Sequence, residues 1–177
     1  MRTLFVILLC TFAACSANAA EDGRSLAFSI GGFSGRDTSG IAMGFYALRP
    51  KSLGWYINGT LSAPVDEDAD DNFRPIPSDV RVDSDTESVT LNVGLTFALG
   101  IFVPYAGVGI SSVSEYGLYR TLSDAFWYEE EEATEANFNV GVLVSLTDRL
   151  GLDLSANSAN EEIVLGVNWR FSFASAD

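Results

Sequence analysis

The chain has 177 residues, of which 47% are hydrophobic and 19% charged, a length that allows a single domain. Its 24 acidic residues outnumber its 10 basic ones, and the net charge of −14 disfavours nucleic acid as a partner. Histidine is absent from the sequence, which excludes Ser-His-Asp catalysis and histidine-ligated metal sites. We therefore expect no enzymatic activity, no cofactor and no bound metal.

The beginning of the chain has the three parts of a secretory signal peptide. Arg2 precedes a short apolar run, which is followed by a stretch of small residues. The apolar run is too short to span a bilayer as a helix. Cleavage after Ala19 or Ala20 would remove residues 1–20 and leave residues 21–177 as the mature domain.

Both cysteines, Cys10 and Cys15, lie in this first segment. Cleavage would leave a mature chain without thiol or disulfide chemistry. A second interpretation makes Cys15 the lipidated residue of a lipoprotein, although Phe12 stands where that motif normally has leucine.

Eight segments of the remaining chain alternate between apolar and small or polar residues, and this period of two is typical of β-strands. The alternation is most regular in the last segment, where one face carries Ile163, Leu165, Val167, Trp169, Phe171 and Phe173. In chain order the predicted strands are 24–34, 40–49, 53–63, 88–99, 102–112, 137–146, 150–157 and 163–173.

The connections between these strands alternate in length. Short turns are predicted near 49–52, 99–101 and 147–149, all at the same end of the strands. The two long connections, 64–86 and 113–135, fall at the opposite end, and residues 63–87 and 114–135 together hold 16 of the 24 acids. An even number of antiparallel strands with short turns at one end and long loops at the other is typical of a bacterial outer-membrane barrel. The predicted fold is therefore all-β, an eight-stranded antiparallel up-and-down transmembrane β-barrel.

The two faces of the strands indicate which side meets lipid. A soluble carrier barrel would have an apolar interior and a charged exterior, whereas these strands carry almost no charge on their apolar face. The other face is mainly Gly, Ser, Asn, Thr and Ala, which predicts a narrow, polar, hydrogen-bonded lumen. Aromatic residues near the short turns are predicted to lie at the membrane interface; they are Trp55, Phe102, Tyr105, Trp169, Phe171 and Phe173.

Three stretches of the chain resemble the small outer-membrane β-barrel family of the OmpA/OmpX type. They are residues 104–109 (Pro-Tyr-Ala-Gly-Val-Gly), 139–142 (Asn-Val-Gly-Val) and 166–173 (Gly-Val-Asn-Trp-Arg-Phe-Ser-Phe). The resemblance implies an outer-membrane location, and outer-membrane lipid, lipopolysaccharide and the barrel-assembly machinery as partners. Members of the family usually end on an aromatic residue that this machinery reads, whereas four residues follow Phe173 here.

Two groups of side chains are candidates for specific contacts. Asp153 and Arg170 belong to the lumen face of neighbouring strands, and a hairpin centred near Asn160 would bring them within a diagonal step of each other. They are predicted to form an interior ion pair, because a charge in a narrow barrel is costly unless it is paired. The second group could bind a surface ligand, or could cap the barrel at the outer lipid interface; it comprises Phe126, Trp127, Tyr128, Glu129 and Glu130.

The sequence favours an outer-membrane barrel with a structural or surface-interaction role and with the acidic loops 64–86 and 113–135 facing outward. A second interpretation is a narrow, porin-like channel for small solutes, which a lumen filled by side chains disfavours. A third is an adhesin, and a fourth is a soluble periplasmic β-barrel binding protein.

The signal peptide makes a prediction that can be tested on the exported protein. N-terminal sequencing should begin at Ala20 or Glu21, because cleavage is expected after Ala19 or Ala20. A Cys15→Ser variant should be processed in the same way. Incorporation of labelled palmitate that the Cys15→Ser change abolishes would instead establish the lipoprotein interpretation.

Overall fold

The computed structural model describes residues 25–36, 38–50, 52–62, 75–76, 79–120 and 125–172. The predicted signal peptide and Phe173 lie outside these residues. Within them the chain forms eight strands, which are β1 Ser25–Ser34, β2 Ser39–Leu48, β3 Leu53–Ser62, β4 Val80–Phe97, β5 Phe102–Arg120, β6 Ala125–Ser145, β7 Leu150–Asn157 and β8 Glu162–Ser172. In the same residues no helix is long and apolar enough to cross a membrane.

Each strand pairs antiparallel with the next, and β1 also pairs with β8, so that the sheet closes on itself. The closing register runs from Ser25 opposite Ser172 to Ser34 opposite Ile163. Closure pairs the backbone N–H and C=O groups of the first and last strands, which would have no partners at the edges of an open sheet. The predicted eight-stranded up-and-down barrel is confirmed.

The predicted alternation appears directly in the burial of β8. Glu162 and Asn168 are fully buried in the lumen, whereas Ile163 and Trp169 point outward and are 66% and 51% exposed. The same pattern on the other strands produces an outward apolar belt. On β4 the belt extends from Val89 to Phe97, which corresponds to a height of about 20 Å for strands tilted by about 40°.

The two ends of the barrel differ in their connections. One end, called the turn end here, has the tight turns, the first residue of β1 (Ser25) and the last residue of β8 (Ser172). At the β4–β5 turn, Gly100 has φ +64°, and the Leu99 N–H donates to the Phe102 carbonyl at 2.7 Å. A left-handed residue is what a two-residue hairpin turn requires, and glycine adopts it without steric cost. The opposite end has a 3₁₀ turn at Ala159–Glu161.

Much of the two predicted acidic loops is strand. Residues 80–86 of the first loop belong to β4, and residues 113–120 and 125–135 of the second belong to β5 and β6; the rest of 64–86 and 113–135 lies largely outside the described residues. These segments were predicted as loops because of their acidic residues. The acidic residues are interspersed, however, with residues that have a high preference for strands. These are Val80, Val82, Tyr116, Leu118, Tyr119, Phe126, Trp127 and Tyr128.

These strand segments continue the barrel sheet beyond its apolar belt. We call residues 80–88, 113–120 and 125–136 the extension. In its register Val80 lies opposite Arg120, and Arg120 lies opposite Ala125. At about 3.3 Å per residue, the extension projects about 25 Å along the strand direction.

The extension contains two irregularities in strand pairing. The β4–β5 register shifts between Arg81 and Asp83, and the β5–β6 register shifts at Tyr116, where Glu130 is the extra residue of β6. A bulge of this kind changes which face the following side chains occupy. Beyond the two bulges, Arg81, Tyr119 and Phe126 therefore share the face that continues the lumen, here called the inner face of the extension.

Candidate functional site

The lumen contains a layer of three tyrosine rings around one carboxylate. The hydroxyl groups of Tyr46 and Tyr105 donate to Asp153 at 2.7 and 2.6 Å. The ring of Tyr56 stacks on that of Tyr46, with centroids 5.7 Å apart, and lies 4.8 Å from that of Tyr105. All four side chains are at most 3% exposed. The layer therefore closes the lumen with rings that are held by hydrogen bonds.

Glycines on neighbouring lumen positions provide the space for these rings. A Cβ at Gly44 would lie 2.7 Å from the Tyr46 ring, and a Cβ at Gly141 or Gly107 would collide with Tyr105 or with the Tyr56 hydroxyl. Side chains at these positions would displace the rings, since core packing leaves little room for added atoms. The glycines of the predicted small-residue face are thus spacers for large residues.

A layer of asparagine side chains follows, on the side toward the extension. It is connected to the ring layer because the Tyr56 hydroxyl donates to the Asn139 side chain at 2.8 Å. Asn157 accepts from Asn139 at 2.7 Å and from Asn137 at 3.1 Å, and Asn137 also donates to Asn92 at 2.6 Å. Buried amides are stable in such a network because their partners replace water.

A second buried carboxylate ends this network. Glu162 is fully buried, and its Oε2 atom accepts from Asn157 at 2.7 Å and from Thr60 at 2.9 Å. Beside the asparagines, a cavity lined in part by Asp153 and Asn58 has a volume of only about 10 Å³, which is room for about one water. The described part of the lumen is filled, as predicted for eight strands.

Asp153 and Arg170 are not brought together as predicted. The β7–β8 register places Asp153 opposite Gly166, so Arg170 lies four residues further along β8, about 13 Å away along the strand. Arg170 lies at the turn end, where its backbone N–H donates to the Arg149 carbonyl. Tyrosine hydroxyls, rather than a guanidinium, stabilise Asp153, and neither it nor Glu162 has an ion-pair partner in the described chain.

The predicted interface aromatics divide into two groups. Phe102, Trp169 and Phe171 point outward near the turn end and are 49–53% exposed, and Trp55 points outward there and is half-buried. The prediction for Tyr105 was wrong, because its side chain is 3% exposed and belongs to the lumen layer. The alternation of β5, with Pro104 and Ala106 on the opposite face, could have shown this from sequence.

The inner face of the extension carries a polar cluster around Glu130. Arg81 forms an ion pair with Glu130 at 2.8 Å, and the Tyr119 hydroxyl donates to the other carboxylate oxygen. The ring of Tyr128 meets that of Tyr119 edge to face at 6.5 Å. The hydrogen bond to Glu130 raises the pKa of Tyr119, with smaller contributions from burial and from the Glu130 charge. The cluster joins β4, β5 and β6 at the level of the bulges.

The predicted contact residues 126–130 lie on two faces of the extension rather than in one patch. Phe126 and Tyr128 lie opposite Tyr119 and Gly117 on the inner face. Trp127 and Glu129 lie on the outer face, opposite Leu118 and Tyr116. Burial raises the pKa of Tyr116, and the nearby charges of Glu87 and Glu129 raise it further.

Sequence reasoning missed most of the lumen residues by name. Tyr46 and Glu162 were not singled out, although each occupies a lumen position in the period-two pattern. Large residues on a face that is otherwise small were the available signal. Their hydrogen-bond partners come from strands far apart in the chain, so no local pattern indicates them.

Solved structures of one protein have the same fold. The crystal structure of Ail, the attachment invasion locus protein of Yersinia pestis, is 14% identical, with a TM-score of 0.62, and the match covers 85% of this chain and 99% of Ail. Ail in complex with the heparin analogue sucrose octasulfate is 10% identical over 85% and 99% of the two chains, with a TM-score of 0.59. Ail in a phospholipid bilayer nanodisc is 16% identical over 85% and 100%, with a TM-score of 0.53. No family model and no curated protein matches the chain.

The closed sheet with an outward apolar belt and a plugged lumen defines a small β-barrel of the outer-membrane type. The structural neighbours are outer-membrane barrels, and the predicted resemblance to the OmpA/OmpX-type fold is confirmed. At these identities the likeness establishes the fold and not the role of the chain.

The lumen network predicts a large effect of removing its central carboxylate. Asp153→Ala removes the carboxylate that accepts from the hydroxyls of Tyr46 and Tyr105, which should lower the free energy of unfolding by about 1–3 kcal/mol for each lost hydrogen bond. The measurement is urea unfolding of the refolded protein in lipid vesicles, followed by tryptophan fluorescence. Asp148→Ala, at an exposed turn position, is the matched control and should change stability little. Equal effects of the two substitutions would contradict the central role of Asp153.

Proposed function

We propose that this protein is an integral outer-membrane barrel without catalytic activity, in which a non-conducting barrel holds an acidic, outward-facing extension that contacts ligands at the cell surface. One observation carries the proposal. The strands β4, β5 and β6 continue about 25 Å beyond the apolar belt, whereas the lumen beneath them is filled with hydrogen-bonded side chains.

The apolar belt supports the membrane location. Its outward residues include Val93, Val108 and Leu165, which are 52–59% exposed. Such a large exposed apolar surface requires lipid or a partner, and it disfavours the interpretation as a soluble periplasmic binding protein. The belt height of about 20 Å is comparable to that of the apolar band of known outer-membrane barrels, about 25 Å. Outer-membrane lipid and lipopolysaccharide are the proposed surroundings, and the barrel-assembly machinery is the proposed insertion partner.

The filled lumen favours a supporting role over that of a narrow channel. Solutes would have to displace Tyr46, Tyr56 and Tyr105, which are held against Asp153 and one another. The absence of histidine from the sequence also removes the side chain that most often acts as a general base in enzymes.

The name of one structural neighbour, the attachment invasion locus protein Ail, suggests a role in attachment for this chain as well. Its bound sucrose octasulfate, however, is highly anionic. The extension here carries many carboxylates, including Asp83, Asp85, Glu129 and Glu132, so like-charge repulsion disfavours a sulfated ligand. A surface-interaction role, including that of an adhesin, is therefore proposed with a different class of ligand.

Conductance in planar bilayers tests whether the barrel is a channel. The wild-type protein should show no resolved channel openings. The Tyr46→Ala/Tyr105→Ala variant, which removes two lumen rings, should conduct ions, with a conductance increase of about tenfold or more over the wild-type background. Wild-type openings as large as those of the variant would establish that the protein is a channel.

Whole-cell labelling tests whether the extension faces outward. The predicted mature chain contains no cysteine, so a single Glu129→Cys substitution places a thiol on the extension and Asp148→Cys places one at the turn end. A maleimide that cannot cross membranes should label the Glu129→Cys protein in intact cells. It should label the Asp148→Cys protein only after lysis.

The reverse labelling pattern would place the extension in the periplasm. Labelling of both variants in intact cells, with cytoplasmic and periplasmic markers unlabelled, would show that the barrel does not span the membrane as proposed.

A further inference from the structure

We infer that the outer face of the extension is a docking surface for a basic, apolar segment of a partner protein. The outer face comprises the side chains on the lipid-facing side of the same strands, and its centre is formed by Tyr116, Leu118 and Trp127. This inference rests on the proposed function and names the class of ligand that the extension would take.

The apolar centre follows from the strand register. Because β5 has no bulge of its own, Tyr116 and Leu118 continue the outward alternation of Val108 and Ile110. Trp127 of β6 lies directly opposite Leu118, so the three side chains are neighbours on one face. Tyrosine and tryptophan in such a position contribute much of the binding energy in protein interfaces.

Acidic side chains border this apolar centre on both sides. In the register Tyr116 lies between Asp85 of β4 and Glu129 of β6, and Leu118 lies opposite Asp83. Within the described residues, five acids and one base occupy this face; the acids are Asp83, Asp85, Glu87, Glu129 and Glu132, and the base is Arg120. A partner segment that complements this surface would carry lysine or arginine residues around an apolar side chain.

Position and charge distinguish this partner from other occupants. Tyr116 lies six residues beyond Ile110, the last belt residue of β5, which corresponds to about 20 Å along the strand. The centre is therefore far from the acyl chains that cover the belt. A second copy of this chain would bring like charges together, and the carboxylates would repel anionic lipid phosphates.

The inner face gives the docking surface a fixed shape. The ion pair of Arg81 with Glu130 and the hydrogen bond from Tyr119 connect the three strands from behind. A surface that is ordered before binding loses less conformational entropy when the partner docks. The bulge at Glu130 is also what places Trp127 on the outer face rather than the inner one.

The test uses the full mature protein in nanodiscs of neutral lipid and a labelled synthetic peptide of alternating lysine and tryptophan. Affinity is measured by fluorescence anisotropy at about 150 mM salt, where the Debye length is only about 8 Å. The triple variant Asp83→Asn/Asp85→Asn/Glu129→Gln should weaken binding by about tenfold or more. Trp127→Ser, which changes no charge, should weaken it by a similar factor.

A matched control removes the same number of acids from the inner face. The variant Glu115→Gln/Glu131→Gln/Glu135→Gln should keep its affinity within about threefold. Equal losses in the two triple variants would show that the peptide senses only net charge, and unchanged binding by Trp127→Ser would exclude the apolar centre. A wild-type protein that does not bind the peptide also overturns the inference.

Two different occupants of the face would overturn it as well. Concentration-dependent dimers that Trp127→Ser abolishes would assign the face to a second copy. Loss of binding to lipopolysaccharide vesicles in the outer-face triple variant, without peptide binding by the wild type, would assign it to the lipid surface. Failure of the proposed function has a separate signature, which is channel openings in the wild type or the reverse labelling pattern.

Discussion

The pairing of β1 with β8 is the constraint on which the rest of this structure depends. Once the sheet closes, its backbone groups bond to one another, and alternation divides every strand into a lipid side and a lumen side. The outward residues can then be uniformly apolar, as on β8 from Ile163 to Phe171. The inward residues have to satisfy one another within a space that is only as wide as eight strands allow.

The polar side chains of the lumen satisfy one another through hydrogen bonds rather than through ion pairs. Asp153 and Glu162 are held by hydroxyl and amide donors, and the asparagine layer connects the two levels. A network of this kind fixes the registers of strands that are distant in sequence, because each donor has its acceptor on another strand. The barrel is therefore a rigid support, and the parts of the chain that can meet other molecules are those that leave it.

The strand count, the closed topology and the identity of the lipid face followed from period-two alternation and from the alternation of connection lengths. The extension did not, because a run such as Glu129 to Glu132 has the composition of a loop, and its strand character comes from pairing with β5. The Asp153–Arg170 pair was predicted from their shared face and from a hairpin centred near Asn160. The hairpin has that centre, but it pairs Asp153 with Gly166, four residues from Arg170. Their positions along the two strands are too far apart for an ion pair. Tyr46 and Tyr105 could not be recognised as partners of Asp153, because only the closed barrel brings their strands together.

The two bulges determine which side chains of the extension continue the lumen face of the barrel and which continue its lipid face. A strand that loses or gains one residue moves all later side chains to the other side, while composition and net charge stay almost the same. Loss of the single residue Glu130 would turn Trp127 and Glu129 inward and Phe126 and Tyr128 outward. In evolution, a one-codon deletion could therefore exchange one exposed surface for another in a single step, with the barrel beneath it unchanged.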